Sequence, residues 1–209
     1  MPRSVAEPVA LLGQRRRLAG MSIVVHNYED PDRFVAGTVG QPGQRVFFLQ
    51  ARSGVRITSV ALEKQQVSIL AERVDLLLDE ALRRSGGDAA IPAVAPVGMS
   101  DGEPLDQPID EEFRVGTITL SWDPEVGRVV IELFPVTDAD DETDQASDPE
   151  VDATEVLIVK LEPAYARAFV QRAQTVVSAG RPPCQFCGNP LDTDGHLCPR
   201  ANGFKRIAH

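Results

Sequence analysis

Residues 33–50 read RFVAGTVGQPGQRVFFLQ, and the shape of the fold turns on this stretch. Two runs of β-branched and aromatic residues flank Gln41-Pro42-Gly43, and Pro followed by Gly suits the centre of a type II turn. The segment therefore predicts a β-hairpin. A third strand is expected over 55–62, after the Ser53-Gly54 turn. From Glu63 the apolar period lengthens from two to about 3.6. Val67, Leu70, Val74, Leu77, Leu78 and Ala81 fall on one helical face, while Glu72, Arg73, Asp75 and Asp79 take the other. Ser85-Gly86-Gly87 supplies the stop.

Working outward, the same plan restarts after a stretch at 88–111 rich in Pro, Gly and Ala, which reads as a linker. Phe113-Arg114-Val115-Gly116-Thr117 echoes Phe34-Val35-Ala36-Gly37-Thr38. Asp123-Pro124-Glu125-Val126-Gly127 forms the turn, with strands expected over 128–136 and 155–161. A second helix follows, carrying Ala166, Phe169, Val170, Ala173, Val176 and Val177 on one face and ending at Gly180. Leu62-Glu63 and Leu161-Glu162 close the third strands, and Arg73 and Arg172 each follow ten residues after the glutamate. We therefore expect an α+β fold of two pseudo-repeated βββα halves, 22–87 and 112–180, with mainly antiparallel strands. Each half alone is small for an independent core, so the two are expected to pack as a pseudo-symmetric pair with helices covering sheet.

The formal charge of −10 resides in one place. Residues 137–155, TDADDETDQASDPEVDATE, hold nine carboxylates and no Lys or Arg, so the rest of the chain carries −1. The loop at 137–154 reads as a disordered acidic insertion, since its Asp spacing lacks the alternating ligands and turn glycine of an EF-hand. A nearly neutral body offers no broad basic face, which makes duplex DNA an unfavoured partner. No apolar run approaches the roughly 18 residues that span a bilayer. The first residues, MPRSVAEPVALLGQRRRLAGMSIVV, place their arginines after a short apolar patch, unlike a secretory signal. Residues 1–21 are therefore expected to be a disordered N-terminal extension, with Met21 a plausible start. A cytoplasmic location and reduced thiols follow from the missing export signal.

The tail, 181–209, is the most specific part of the sequence. Cys184-Gln185-Phe186-Cys187-Gly188 is a zinc knuckle: thiolates three positions apart can face one ion, and the glycine lets the turn bend back. Eight residues later come His196-Leu197-Cys198-Pro199, completing C-x2-C-x8-H-x-C. Cys184, Cys187, His196 and Cys198 make a Cys3His set that would hold structural zinc in a closed tetrahedral shell. A reduced cluster without metal, or an iron–sulfur cluster, would use the same thiols. Phe186, Phe204, Arg200, Lys205 and Arg206 could instead serve a nucleic-acid-binding knuckle.

Elsewhere the chain has no G-x-x-x-x-G-K-[ST], G-x-S-x-G or H-E-x-x-H. Gly37, Gly40 and Gly43 surround a hairpin turn, not the strand-to-helix junction a dinucleotide needs. His26 could be an acid or base, or a surface histidine near a strand start. Glu63 with Glu162, and Arg73 with Arg172, could converge across a pseudo-dyad or simply be helix-start and surface charges. No catalytic residue is assigned.

PDRFVAGTVGQPGQRVFFLQAR (31–52), SVALEKQQVSILAERVDLLLDE (59–80), FRVGTITLSWD (113–123) and GRPPCQFCGNPLDTDGHLCPRANGF (180–204) together resemble an uncharacterised actinobacterial family, a domain of unknown function. The resemblance covers most of 22–206 and implies a bacterial cytoplasmic protein with a zinc-knuckle tail. It implies no activity. Through the neighbourhood of its genes it adds an association with phosphate chemistry. The leading expectation is a non-catalytic, zinc-containing binding or regulatory protein with a protein partner. An enzyme or accessory acting on a phosphorylated metabolite, using Arg33, Arg45 or Arg73, is the alternative, and a nucleic-acid-binding knuckle is the third reading.

Overall fold

The computed structural model describes residues 15–18, 21–41, 43–87, 90–136, 154–179, 184–187, 196–200 and 206–207; for 15–18, 21–22, 196–197 and 206–207 it describes the backbone alone. The expected hairpin is present, as β3 (Arg33–Val39) and β4 (Val46–Ser53), with Val39 opposite Val46. β5 (Arg56–Leu62) continues the meander, and α1 (Lys64–Arg84) follows at once. The second meander is β6 (Glu111–Asp123), β7 (Arg128–Pro135) and β8 (Glu155–Leu161), followed by α2 (Pro163–Ser178). Before both come β1 (Arg15–Leu18) and β2 (Met21–Tyr28), which pair as an antiparallel hairpin. Arg15–Leu18 thus forms a strand within the stretch read from sequence as an extension.

The fold is α+β, with a mixed sheet and two helices among the described residues. The eight strands run β1-β2-β8-β7-β6-β5-β4-β3 across the sheet. All neighbours are antiparallel except β2 with β8 and β5 with β6. The meanders therefore join edge to edge through a parallel pair, rather than as two separate bodies sharing apolar faces. A parallel neighbour needs a long crossover, and α1 with the segment after it supplies that length between β5 and β6.

Alternation along the strands sorts side chains to two faces. Phe34, Ala36, Leu49, Val60, Leu62, Ile131, Leu133, Leu157 and Val159 join the helix residues Val67, Val74, Leu78, Phe169 and Ala173 in the main core. The ring centroids of Phe34 and Phe169 are 4.9 Å apart, tying β3 to α2. Fully burying a side chain such as Leu133 stabilises by about 1.5–3 kcal/mol. On the opposite face, Val35, Phe48 and Ala61 pack with Leu105, while Ile23, Val25, Phe134 and Val156 form a separate cluster.

β6 turns a corner. Its first residues pair with β5 and its later ones with β7, with a register shift between Val115 and Thr117. Gly116 sits at that shift, where a Cβ would lie 2.8 Å from the Cα of Val136. Gln66, in the first turn of α1, secures the corner: its amide donates to the carbonyls of Val115 (3.1 Å) and Gly116 (3.3 Å). Its Oε1 accepts from the backbone N–H of Glu63 at 2.8 Å. Gly37, at the matching place in β3, meets a different neighbour, since a Cβ there would lie 2.5 Å from Cγ of Leu105.

Residues 90–110 hold neither helix nor strand, yet they are tightly fastened. Ile91 enters the main core and Leu105 the opposite cluster, so the segment passes from the helical face round edge strand β3 to the far face. Buried Gln50 holds it there, donating to the Asp106 carbonyl (3.0 Å) and accepting from the Asp106 N–H (2.8 Å). Covering β3 also removes an open sheet edge.

Candidate metal centre

Local chain geometry brings the tail cysteines together. Cys184 precedes a turn that includes Phe186 and Cys187, and Cys198 directly follows β9 (His196–Leu197). β9 pairs antiparallel with β10 (Arg206–Ile207), so the chain doubles back beside the thiols. Cys184 and Cys198 are each 3% exposed, and Cys187 is half-buried. The three sulfurs lie within 4.8 Å of one another, and Cys184 Sγ stands 3.7 Å from Cys198 Sγ. A disulfide would need about 2.05 Å, and no disulfide joins these cysteines. Two thiolates on a tetrahedral ion with bonds near 2.3 Å are about 3.8 Å apart, so the spacing fits one metal ion. Zinc, with its taste for tetrahedral thiolate and imidazole donors, suits this donor set.

The cysteines form a cluster of their own among the described residues, apart from the main core. His196, the fourth sequence-predicted ligand, is placed by its backbone two positions before Cys198, and its side chain lies outside the described residues. Of the residues named for a nucleic-acid knuckle, Phe204 and Lys205 also lie outside, as does the Arg206 side chain. Phe186 is 57% exposed, and Arg200 Nη1 approaches its carbonyl at 3.5 Å. The acidic stretch over 137–153 is likewise outside the described residues.

Two of the three arginines considered as phosphate contacts, Arg33 and Arg45, bond to other parts of the chain. Arg33 is 10% exposed; its Nε donates to Asp101 (2.6 Å) and its Nη1 to Asp106 (2.9 Å), while Nη2 donates to the carbonyls of Glu103 and Pro104. Arg172, on α2, donates to the Ala36 carbonyl (2.7 Å) and to both the carbonyl and carboxylate of Asp101. Hydrogen bonds from Arg33 hold the Asp101 carboxyl below its usual range, while burial pulls the Arg172 guanidinium down. Arg45 donates to the Ala179 carbonyl, and Arg73 is exposed on α1. Arg73 and Arg172 thus do not converge. Glu63 and Glu162 stand at the N-caps of α1 and α2 and pair with Arg114 and Arg128, each at 3.1 Å, as helix-start charges.

His26 is held in a more informative place. Its Nε2 lies 3.6 Å from Oε2 of Glu155 on the neighbouring strand, and a carboxylate of Glu112 completes a second close group. Sequence reading isolated His26, counted Glu155 with the acidic loop, and passed over Glu112. Only the parallel β2–β8 pairing and the β6 corner join them.

Fold and site together describe an α+β protein with a cluster of three cysteines near its C-terminus, spaced so that it could hold a metal ion. The family model described as "Protein of unknown function (DUF3090)" matches residues 26–198, and the chain belongs to that family. No curated protein and no solved structure matches the chain. No helix among the described residues is long and apolar enough to cross a membrane.

Proposed function

We propose that this is a binding or regulatory protein whose C-terminal tail is ordered by one structural zinc, held by Cys184, Cys187, His196 and Cys198. The observation that carries the reading is the convergence of three cysteine sulfurs, two of them shielded from solvent, at the spacing of a thiolate shell. Four protein ligands close that shell, leaving no position for substrate. The ion then supplies folding free energy that a tail with few apolar residues lacks. A protein partner is the occupant we favour, because metal binding presents Phe186, an exposed aromatic between the first two cysteines, on a rigid loop.

The phosphorylated-metabolite reading is less supported, since Arg33 and Arg172 direct their donors to the 101–106 segment. We also read the two meander-plus-helix units as a duplication. β3 and β6 run in the same direction, each opens an antiparallel meander, and each meander feeds a helix. The binding role is tested by comparing native protein with Phe186→Ala in affinity capture from the cytoplasm of its own cell, with mass spectrometry of proteins and small molecules. We expect a defined protein that Phe186→Ala loses while its zinc content holds. A captured phosphorylated metabolite would favour the enzyme reading instead.

A further inference from the structure

Strand alternation puts two ionisable groups on the core side of the sheet. His26 lies opposite Leu157, and Glu155 lies opposite Val24, in the parallel β2–β8 ladder. Leu157 belongs to the main core, and Glu155, two residues before it, points to the same face at the rim. An inward histidine and glutamate at the edge of an apolar core call for a partner. His26 Nε2 and Glu155 Oε2 are both shielded from solvent, and neither has a hydrogen-bond partner among the described residues. Their 3.6 Å separation exceeds a normal hydrogen bond. A buried carboxylate oxygen without a donor is costly.

Glu112, exposed at the start of β6, adds a third donor, and one ligand atom from each residue lies within 4.8 Å of the others. We propose that His26, Glu112 and Glu155 form a second metal site, for a divalent first-row cation that accepts one imidazole and two carboxylates, such as Mn2+. Ligand atoms on bonds of 2.0–2.2 Å lie about 3–3.5 Å apart, close to the His26–Glu155 distance. The surface-exposed Glu112 needs only a side-chain adjustment to close the third edge. Three protein ligands leave coordination positions free for water or an added ligand, unlike the closed thiolate shell. Oxygen and nitrogen donors also separate the two sites by metal, because thiolates select zinc and carboxylates accept Mn2+.

The test is titration of the full-length zinc-loaded chain with Mn2+, read by electron paramagnetic resonance. We expect about one bound equivalent, with affinity lowered at least about tenfold in His26→Ala and in Glu112→Gln. Glu112 is exposed, so its variant keeps the fold and the comparison stands even where His26→Ala is destabilised. Replacing 138–153 by a Gly-Ser turn should leave the uptake intact, and so should Cys184→Ser. Failure to bind Mn2+, or binding that survives both ligand variants, would overturn the site. Binding lost with the loop replacement alone would overturn it too, by assigning the ion to the acidic stretch. None of these outcomes bears on zinc at the tail cysteines.

Discussion

The Tyr28 hydroxyl donates to Oγ1 of Thr58 at 2.9 Å, although β8, β7 and β6 separate their strands in the sheet. In a flat sheet β2 and β5 would lie about 19 Å apart. The sheet therefore coils until β2 faces β5. Arg56 reinforces the closure, sitting 4.0 Å from the Tyr28 ring centroid and donating to the Asn27 carbonyl. Tyr28→Phe removes the donor while keeping the ring. We expect a loss of about 1–2 kcal/mol in denaturant unfolding, because Thr58 is buried beneath it.

Gly37 touches the segment that wraps β3. Gly37→Ala would drive a methyl group into Leu105 and should cost about 1–3 kcal/mol. Leu105→Ala opens that space, so the double variant should be more stable than the sum of the single losses implies. Strict additivity in a double-mutant cycle would show that the close approach carries no strain.

Acid should loosen the same strap. The Asp101 carboxyl is depressed chiefly by its hydrogen bonds from Arg33. A group with a depressed folded pKa contributes stability that is present above its unfolded value and lost as pH falls through the folded one. The unfolded value is near 3.9, so the Asp101 contribution should fade from about pH 4 downward. Asp101→Asn should lower the melting temperature at neutral pH, and its deficit relative to the native chain should shrink at about pH 2–3. An unchanged deficit at low pH would contradict the pairing.

The acidic stretch should be dispensable for folding. β7 and β8 are antiparallel neighbours, with Leu133 opposite Leu157, so a short turn can bridge their ends. Replacing 138–153 by a Gly-Ser turn should leave the melting temperature within a few degrees, since shortening a surface loop changes closure entropy little. A collapsed fold would mean that those residues contribute to the core.

What could be read from sequence follows the range of the interactions. The Gly40–Gly43 hairpin, the α1 stripe Val67-Leu70-Val74-Leu78 and the C-x2-C-x8-H-x-C spacing are local signals; the hairpin and the helix appear where the pattern placed them, and the three cysteines of the spacing come together. The parallel joining of β5 to β6, and of β2 to β8, depends on contacts across long stretches of chain that no local period encodes. Arg33 and Asp101 are 68 residues apart, and Asp101 lies in a Pro- and Gly-rich stretch that looks like a spacer. Arg73 and Arg172 share a sequence offset, yet one faces solvent and the other is clamped. The same limit hid the meeting of His26 with Glu112 and Glu155.

The metal at the tail cysteines is the central claim, and X-ray absorption at the zinc edge tests it most directly. The sample is protein purified without chelator, with elemental analysis alongside. We expect about one zinc per chain, with three sulfur neighbours near 2.3 Å and one nitrogen near 2.0–2.1 Å, and its loss in Cys184→Ser. Protein free of metal with an already ordered tail, or an iron signal with visible absorbance, would contradict it.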